Sequence, residues 1–413
     1  MIYRHFATVS DDGKAFIIEM SRKTFFVYVL LMLSGVKVMI KKLLYLLLTC
    51  VLFSCGGGTV KYNKVYEKPI KSLSLKYAKG FKLDVYKDYK RLSLFNPNDT
   101  TKLESEFILL EKGKKVPENL KNIPSIIVPI ERAVCLTLTQ LSYIVELDAI
   151  DKLCGMNSSR FLFNKKVREK IKEGSIELVG RKGNFKPEIL MAEDPDVIFV
   201  SPFKEGGYDN LKEVGIKLVP VYAYNENHPL ARAEWLKFMA LFTGDEVKAD
   251  SLFSSIDKEY NSLKALTSKI KKRPVVFSGE CKSGVWYAVG GKSYLAHYFE
   301  DAGADYVWKD NLKAGALRMD YESVYAQAAK ADYWRILNSH KGDFSYEILK
   351  EKDERYADFE AFSLKKIVYC NMRKKAFYET SPVKPHIILA DYINAFHPNL
   401  LKGYKPRYYS ILK

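Results

Sequence analysis

Rings and cations fall where apolar strands give way to turns. The segment "SGVWYAVGG" (Ser283 to Gly291) sets Trp286 and Tyr287 after a short apolar run and just ahead of two glycines. Rings at a strand's C-terminal edge suit stacking on a flat macrocycle or a catechol. Tyr306, Trp308 and Arg318 lie near the same edge of the second half of the chain. In the first half, Thr137, Thr139 and Gln140 follow the apolar run "AVCL", where hydroxyls and an amide can bond ligand carboxylates. Arg160 and Arg181 are loop cations whose planar forks can grip an anionic chelate bidentately. The chemistry this set supports is non-covalent capture of a flat or anionic small molecule.

Bond-making chemistry finds less support. There is no nucleophile elbow with an ordered Ser, His and Asp, no phosphate-cradling "GxxxxGK" and no Gly-rich dinucleotide fingerprint. "YAVGGKSY" carries glycines and a lysine at the wrong spacing. Beyond the first 55 residues the histidines are His228, His297, His340, His386 and His397, scattered and without ligand spacing, so no metal site is expected. Cys135, Cys154, Cys281 and Cys370 are too widely spaced for a zinc site. Cys135 and Cys154 fall on neighbouring expected strands. Buried thiols are the expected state, with a bridge as the alternative in an oxidising compartment.

These residues need elements to hold them. A chain of 413 residues with 47% apolar and 13% aromatic residues has room for two ordinary domains. Residues 77–131 alternate short apolar runs with turns ("NPND", "KGKKVPEN") and predict a small β-rich preface. Strand and helix then alternate through "AVCLTLTQLSYIVELDAIDKLCGM", "SIELVG", "DVIFVS" and "KLVPVYAY". That order argues a parallel α/β sheet with a ligand face at one edge. "PLARAEWLKFMALF" reads as a helix, and apolar residues from Val247 to Ile270 recur at helical spacing. A helix over Asp245 to Lys271 would be about 40 Å long, enough to act as a spine. The α/β pattern restarts at "PVVFSG" and continues to the end. The expected fold is α/β: two Rossmann-like lobes with parallel sheets joined by one long spine helix, behind the β-rich preface. The expected boundaries are 1–54 leader, 55–76 linker, 77–228 N-terminal lobe, 229–273 spine region and 274–413 C-terminal lobe.

The leader has its own logic. "LLYLLLTCVLFSCGGG" is an apolar run too short to span a bilayer, preceded by Lys41 and Lys42 and ended by Ser54-Cys55. Leu52-Phe53-Ser54-Cys55 resembles the lipobox of bacterial lipoproteins, which implies Cys55 as the lipidated first residue of the mature chain. Phe53 departs from the strict pattern. Met39 starts an ordinary signal, so Met1 to Val38 are expected to be an over-called start or an unstructured extension. A membrane segment over Phe25 to Val36 is the rival, weakened by its length of about 12 residues. The net charge is +17; seven Lys or Arg against three Asp or Glu precede Cys55, leaving the rest near +13. No helix-turn-helix or zinc-finger pattern points that charge at nucleic acid.

Read in order, "ERAVCLTLTQ", "KPEILMAEDPDVIFV", "PLARAEWLKF" and "DAGADYVWKD" around a long helix resemble the helical-backbone substrate-binding proteins of ABC importers. That family includes ferric-siderophore-, haem- and vitamin B12-binding proteins, and the chain is most similar to its Bacteroidetes lipoproteins. The resemblance implies a monomeric, non-enzymatic protein, lipid-anchored and facing the periplasm. Such a protein holds no permanent cofactor. It captures a metal chelate (ferric siderophore or haem, with cobalamin as the alternative) and delivers it to a permease dimer in the inner membrane. It also implies one docking carboxylate per lobe, Glu188 in "KPEILMAEDPD" and Glu322 in "DYESVYAQAAKAD". A chelatase-like enzyme is the reading from another class, because related two-lobed sheets occur there.

Overall fold

The computed structural model describes residues 67–181, 184–201, 208–212 and 215–413, with two strands ahead of them, β1 (His5–Val9) and β2 (Ala15–Glu19). The signal run, its Met39 start, the Phe25 to Val36 segment and Cys55 lie outside the described residues. β1 and β2 pair antiparallel, with His5 opposite Glu19 and Val9 opposite Ala15. The extension was expected to be unstructured; its alternating runs "HFATV" and "AFIIE" flank an Asp-Gly dipeptide, a sequence pattern that favours a hairpin.

Residues 67–413 form one compact unit. The preface is a five-stranded sheet in sequence order, β3 (Lys71–Ser72), β4 (Phe81–Val85), β5 (Lys90–Asn96), β6 (Asp99–Glu111) and β7 (Ser125–Val128). Its pairs are antiparallel except β6 with β7. The N-terminal lobe follows as a parallel sheet. Its strands are β8 (Ala133–Cys135), β9 (Leu153–Met156), β10 (Glu177–Leu178), β13 (Val197–Val200) and β14 (Lys217–Pro220), in the order β10-β9-β8-β13-β14. A short hairpin, β11 (Gly180–Arg181) and β12 (Asn184–Phe185), interrupts it. Its helices are α1 (Leu138–Glu146), α2 (Lys165–Lys172), α3 (Pro187–Glu193) and α4 (Asp209–Lys212).

Two helices join the lobes. α5 (Pro229–Thr243) is buried along its whole length save Lys237, and its C-cap Gly244 sits at φ +84. Only glycine adopts that conformation without strain, and the chain turns there into α6 (Glu246–Thr267). Leu230 and Ala233 of α5 pack into the C-terminal core, whereas Trp235, Leu236 and Phe238 pack into the N-terminal one. α6 retraces that path, with Ala249 in the N-terminal core and Phe253, Ile256 and Tyr260 in the C-terminal one. The expected helix from Asp245 to Lys271 is therefore shorter, about 33 Å at 1.5 Å per residue, and α5 shares its role. α6 ends where the Thr267 hydroxyl donates to Asp301 O at 2.6 Å and Ser268 turns its hydroxyl onto Ala265 O.

The C-terminal lobe repeats the parallel plan with β15 (Val275–Ser278), β18 (Asp305–Tyr306), β20 (Tyr333–Asn338) and β21 (Ile367–Asn371). Antiparallel β22 (Ser410–Ile411) closes one edge, in the order β18-β15-β20-β21-β22. A small antiparallel sheet of β16 (Glu280–Lys282), β17 (Val285–Val289) and β19 (Ala316–Met319) covers one end. Its helices are α7 (Tyr294–Asp301), α8 (Tyr321–Ala328), α9 (Tyr346–Lys352), α10 (Glu360–Ser363), α11 (Phe377–Thr380) and α12 (Pro385–Phe396).

Cys135 and Cys154 are both free and buried. Cys135 packs with Phe199 and Met156 on one side of the sheet, Cys154 with Ile198 and Leu190 on the other. Side chains on opposite faces cannot bridge, which removes that alternative.

Candidate functional site

Loops past the C-terminal ends of the two parallel sheets come into contact. Past β9, the loop carrying Arg160, Phe161 and Phe163 reaches the loop past β21. There the Phe163 N–H donates to Glu379 Oε2 at 2.5 Å, and the Phe161 ring lies under Arg160 at 4.7 Å and Arg373 at 5.7 Å. Phe161 holds φ +63, a conformation a bulky residue adopts only when its surroundings over-determine it. Below, Lys384 pairs with Glu146 of α1, and Val383 is part of the N-terminal core. Glu379 is buried, which raises its pKa, while the Phe163 and Asn164 N–H groups and Arg168 hold it down in part.

Several expected ligand residues serve the fold. Trp286 is fully buried: it stacks near Phe277 and Trp334, and its indole N–H donates to Ser278 O at 2.9 Å. Alternation along β17 turns it inward and Tyr287 outward, so Trp286 has no face left for stacking. Tyr306 is 3% exposed, with its hydroxyl spent on Val289 O at 2.7 Å and Ser278 Oγ at 2.9 Å. Trp308 is buried too and donates to Gln327 at 3.1 Å. Thr137 and Gln140 form a capping box on α1: Thr137 Oγ1 accepts the Gln140 N–H at 3.2 Å and Gln140 Oε1 accepts the Thr137 N–H at 3.0 Å. Gln140 is buried, and its amide turns to Ser201 at 3.4 Å.

Others remain accessible. Thr139 is half-buried in the first turn of α1, and Arg160 is exposed. Tyr287 and Arg318 are directly opposite on β17 and β19, the guanidinium 5.4 Å from the ring and 3.3 Å from its hydroxyl. The backbone of Arg181 lies in β11; its side chain is outside the described residues. Glu188 and Glu322 are exposed in the first turns of α3 and α8, where a carboxylate also favours the helix. Glu322 pairs with Arg355 at 3.1 Å. The strands after these helices begin alike: Asp196 accepts the N–H groups of Glu131 and Arg132, and Asp332 accepts that of Val275.

The sequence reading passed over two buried arginines and two tyrosines in their field. Arg232, in the first turn of α5, stands 4.0 Å from the ring centroid of Tyr294, the first residue of α7. Arg335 lies on β20, and Tyr378 of α11 stands in the field of both guanidinium groups. The signal was available: an arginine inside "PLARAEWL" and another inside "YWRIL" are cations in otherwise apolar elements. Among the described residues no group of three His, Cys, Asp or Glu could hold a bare metal ion. Grooves of about 530 and 560 Å³ open along α6, the second against α12, and no expected ligand residue lines either.

The family model of periplasmic binding proteins matches residues 134–373. An uncharacterized lipoprotein of Methanocaldococcus jannaschii is 28% identical over 84% of this chain and 86% of its own length. Among solved structures, a periplasmic haem-binding protein of Pseudomonas aeruginosa superposes with a TM-score of 0.54 at 18% identity, covering 69% of this chain and 98% of its own. A possible iron-binding periplasmic solute-binding protein of Staphylococcus epidermidis gives 0.51 at 16%, covering 65% and 99%. Both likenesses show the fold.

Proposed function

The chain belongs to the periplasmic binding protein family, a family of solute-binding proteins and not of enzymes, and from that premise we propose that it captures an iron complex for an ABC importer. The observation that carries this reading is where the lobes meet: loops at the C-terminal edges of two parallel sheets touch through Phe161, Phe163, Arg373 and Glu379. In open α/β sheets that edge is where ligands bind. Support for the cargo comes from the solved neighbours named for haem and for iron, and from a rim of cations and rings able to take a ferric siderophore or haem. Thr139, Arg160, Tyr287 and Arg318 are the proposed rim contacts. Glu188 and Glu322 are the proposed docking carboxylates, one per lobe, facing arginines of a permease dimer. The lipobox-like "LFSC" and the lipoprotein relative support lipid attachment through Cys55 and a place in the periplasm.

Titration of the purified protein with haemin, ferric siderophores and cobalamin, followed by tryptophan quenching, tests the reading. Submicromolar binding of one iron complex is expected. Binding of cobalamin alone would move the cargo to a corrinoid, and binding of none would overturn capture altogether.

A further inference from the structure

After α5 and α6 have joined the lobes, the chain crosses between them again. Past β21 it leaves the C-terminal core at Phe377, packs α11 against α1 and sets Val383 in the N-terminal core. It then returns to the C-terminal core through Ile388 and Leu389 of α12. Residues 377–384 are therefore a strap from one lobe to the other. Buried Val383 and the pair of Lys384 with Glu146 of α1 root it in the N-terminal lobe. On the other side, the Thr380 and Tyr408 hydroxyls share a hydrogen bond at 2.6 Å.

Glu379 stands in the middle of this strap. It is 3% exposed, and its Oε2 accepts the Phe163 N–H at 2.5 Å, with the Asn164 N–H as a second donor. Asn164 is the N-cap of α2. A carboxylate of one lobe thus sits where a helix of the other presents unpaired donors. Just ahead, Phe161 holds φ +63, with Arg160 at 4.7 Å from its ring and Arg373, from the other lobe, at 5.7 Å. A backbone strained in that way lasts only while its contacts do. Unlike the apolar packing along α5 and α6, these ties are few and polar, so they can open without unfolding either core. We propose that Glu379 is an interlobe latch: engaged on Phe163 and Asn164 it holds the strap and the loop past β9 together, and its release uncovers the sheet edges where the lobes touch.

The latch has a consequence for solute traffic. A solute held under these loops enters or leaves only when they separate, so the rate of exchange is set by the latch and not by the solute alone. That gating rests on the capture reading; the latch itself does not. Val383 and Lys384 keep the strap rooted while Glu379 is free, so the carboxylate stays near its donors and re-engages without a long search.

Amide hydrogen exchange of the ligand-free protein, followed by mass spectrometry, tests the latch. Glu379→Ala should speed exchange at least about tenfold in residues 161–168 and 376–384 alike, although the two stretches belong to different lobes. Glu379→Gln keeps one acceptor oxygen and should fall between Glu379→Ala and the wild type. Unchanged exchange in β20, in the centre of the C-terminal sheet, separates release of a latch from general destabilisation. Should Glu379→Ala fail to fold, Arg373→Ala carries the test: its side chain is exposed, and its loss should speed exchange in both stretches by about threefold. Faster exchange confined to 376–384, or no change in either stretch, would overturn the latch. No ligand enters the measurement, so that failure leaves the capture reading standing.

Discussion

The protein buries charge in two contrasting ways. Glu234 of α5 is fully buried and accepts the N–H groups of Lys76, Tyr77 and Ala78 at 2.8 to 2.9 Å. Its neighbour Glu226 takes those of Lys79 and Gly80 and the Trp235 indole. In the other lobe, Asp391 of α12 accepts those of Arg407, Tyr408 and Tyr409 and the Tyr404 hydroxyl. In each lobe a helix carboxylate thus fastens a segment distant in sequence, the link between β3 and β4 in one and the C-terminal tail in the other. Arg232 and Arg335 are buried too, at 8% and 5% exposed, yet meet mainly aromatic rings. Charges that the backbone satisfies belong to the fold.

That contrast can be broken or sharpened by experiment. The largest effect is expected from Glu234→Ala, which strands three N–H groups: a loss of about 3–5 kcal/mol in urea unfolding. Asp391→Ala should lose a similar amount. A loss below about 1 kcal/mol would show that these carboxylates are incidental.

His228 solves the burial problem differently, by staying neutral. It stacks on Tyr77 and caps α5 by accepting the Leu230 N–H at 3.1 Å. Burial lowers its pKa from 6.5 to about 4, against a partial upward pull from Asp301. Between those values the unfolded chain takes up a proton that the fold refuses. Stability contributed by this group is complete above pH 6.5 and is lost as the pH falls toward 4. About 2 kcal/mol should be gone at pH 5. His228→Asn keeps a capping acceptor without the titration, so its melting temperature should fall less from pH 7 to 5. An unchanged slope would remove His228 as the cause.

Arg335→Met should leave the ligand-free protein within about 1 kcal/mol of wild type, or stabilise it, because it deletes a buried charge that has a tyrosine hydroxyl but no ion-pair partner among the described residues, and keeps volume. A loss as large as that of Glu234→Ala would place Arg335 with the structural charges instead. Smallest of all, Glu188→Gln with Glu322→Gln should shift stability by less than about 0.5 kcal/mol and spare ligand affinity. Uptake of the iron complex by cells carrying the double variant should be abolished; normal uptake would remove the docking role.

Much of the architecture was legible in the chain. Short apolar strands alternating with helices announced two parallel sheets, because strands buried on both faces read as continuous apolar runs. The site was less legible. Trp286 and Tyr287 are adjacent and chemically alike, and only the β17 pairing decides which of them faces inward. Thr137 and Gln140 have side chains that could bond a ligand, and the same spacing of three is what a helix cap requires.

Local patterns along the chain therefore determined the elements, their order and the family resemblance, since strand and helix periods are written in neighbouring residues. Tertiary structure alone decided that α5 and α6 cross the lobes together, that Cys135 and Cys154 lie on opposite faces, and that Arg232 and Arg335 are buried against the rings of Tyr294 and Tyr409. Those outcomes depend on contacts between residues dozens to more than a hundred positions apart, and on what remains unpaired once every other group has found its partner.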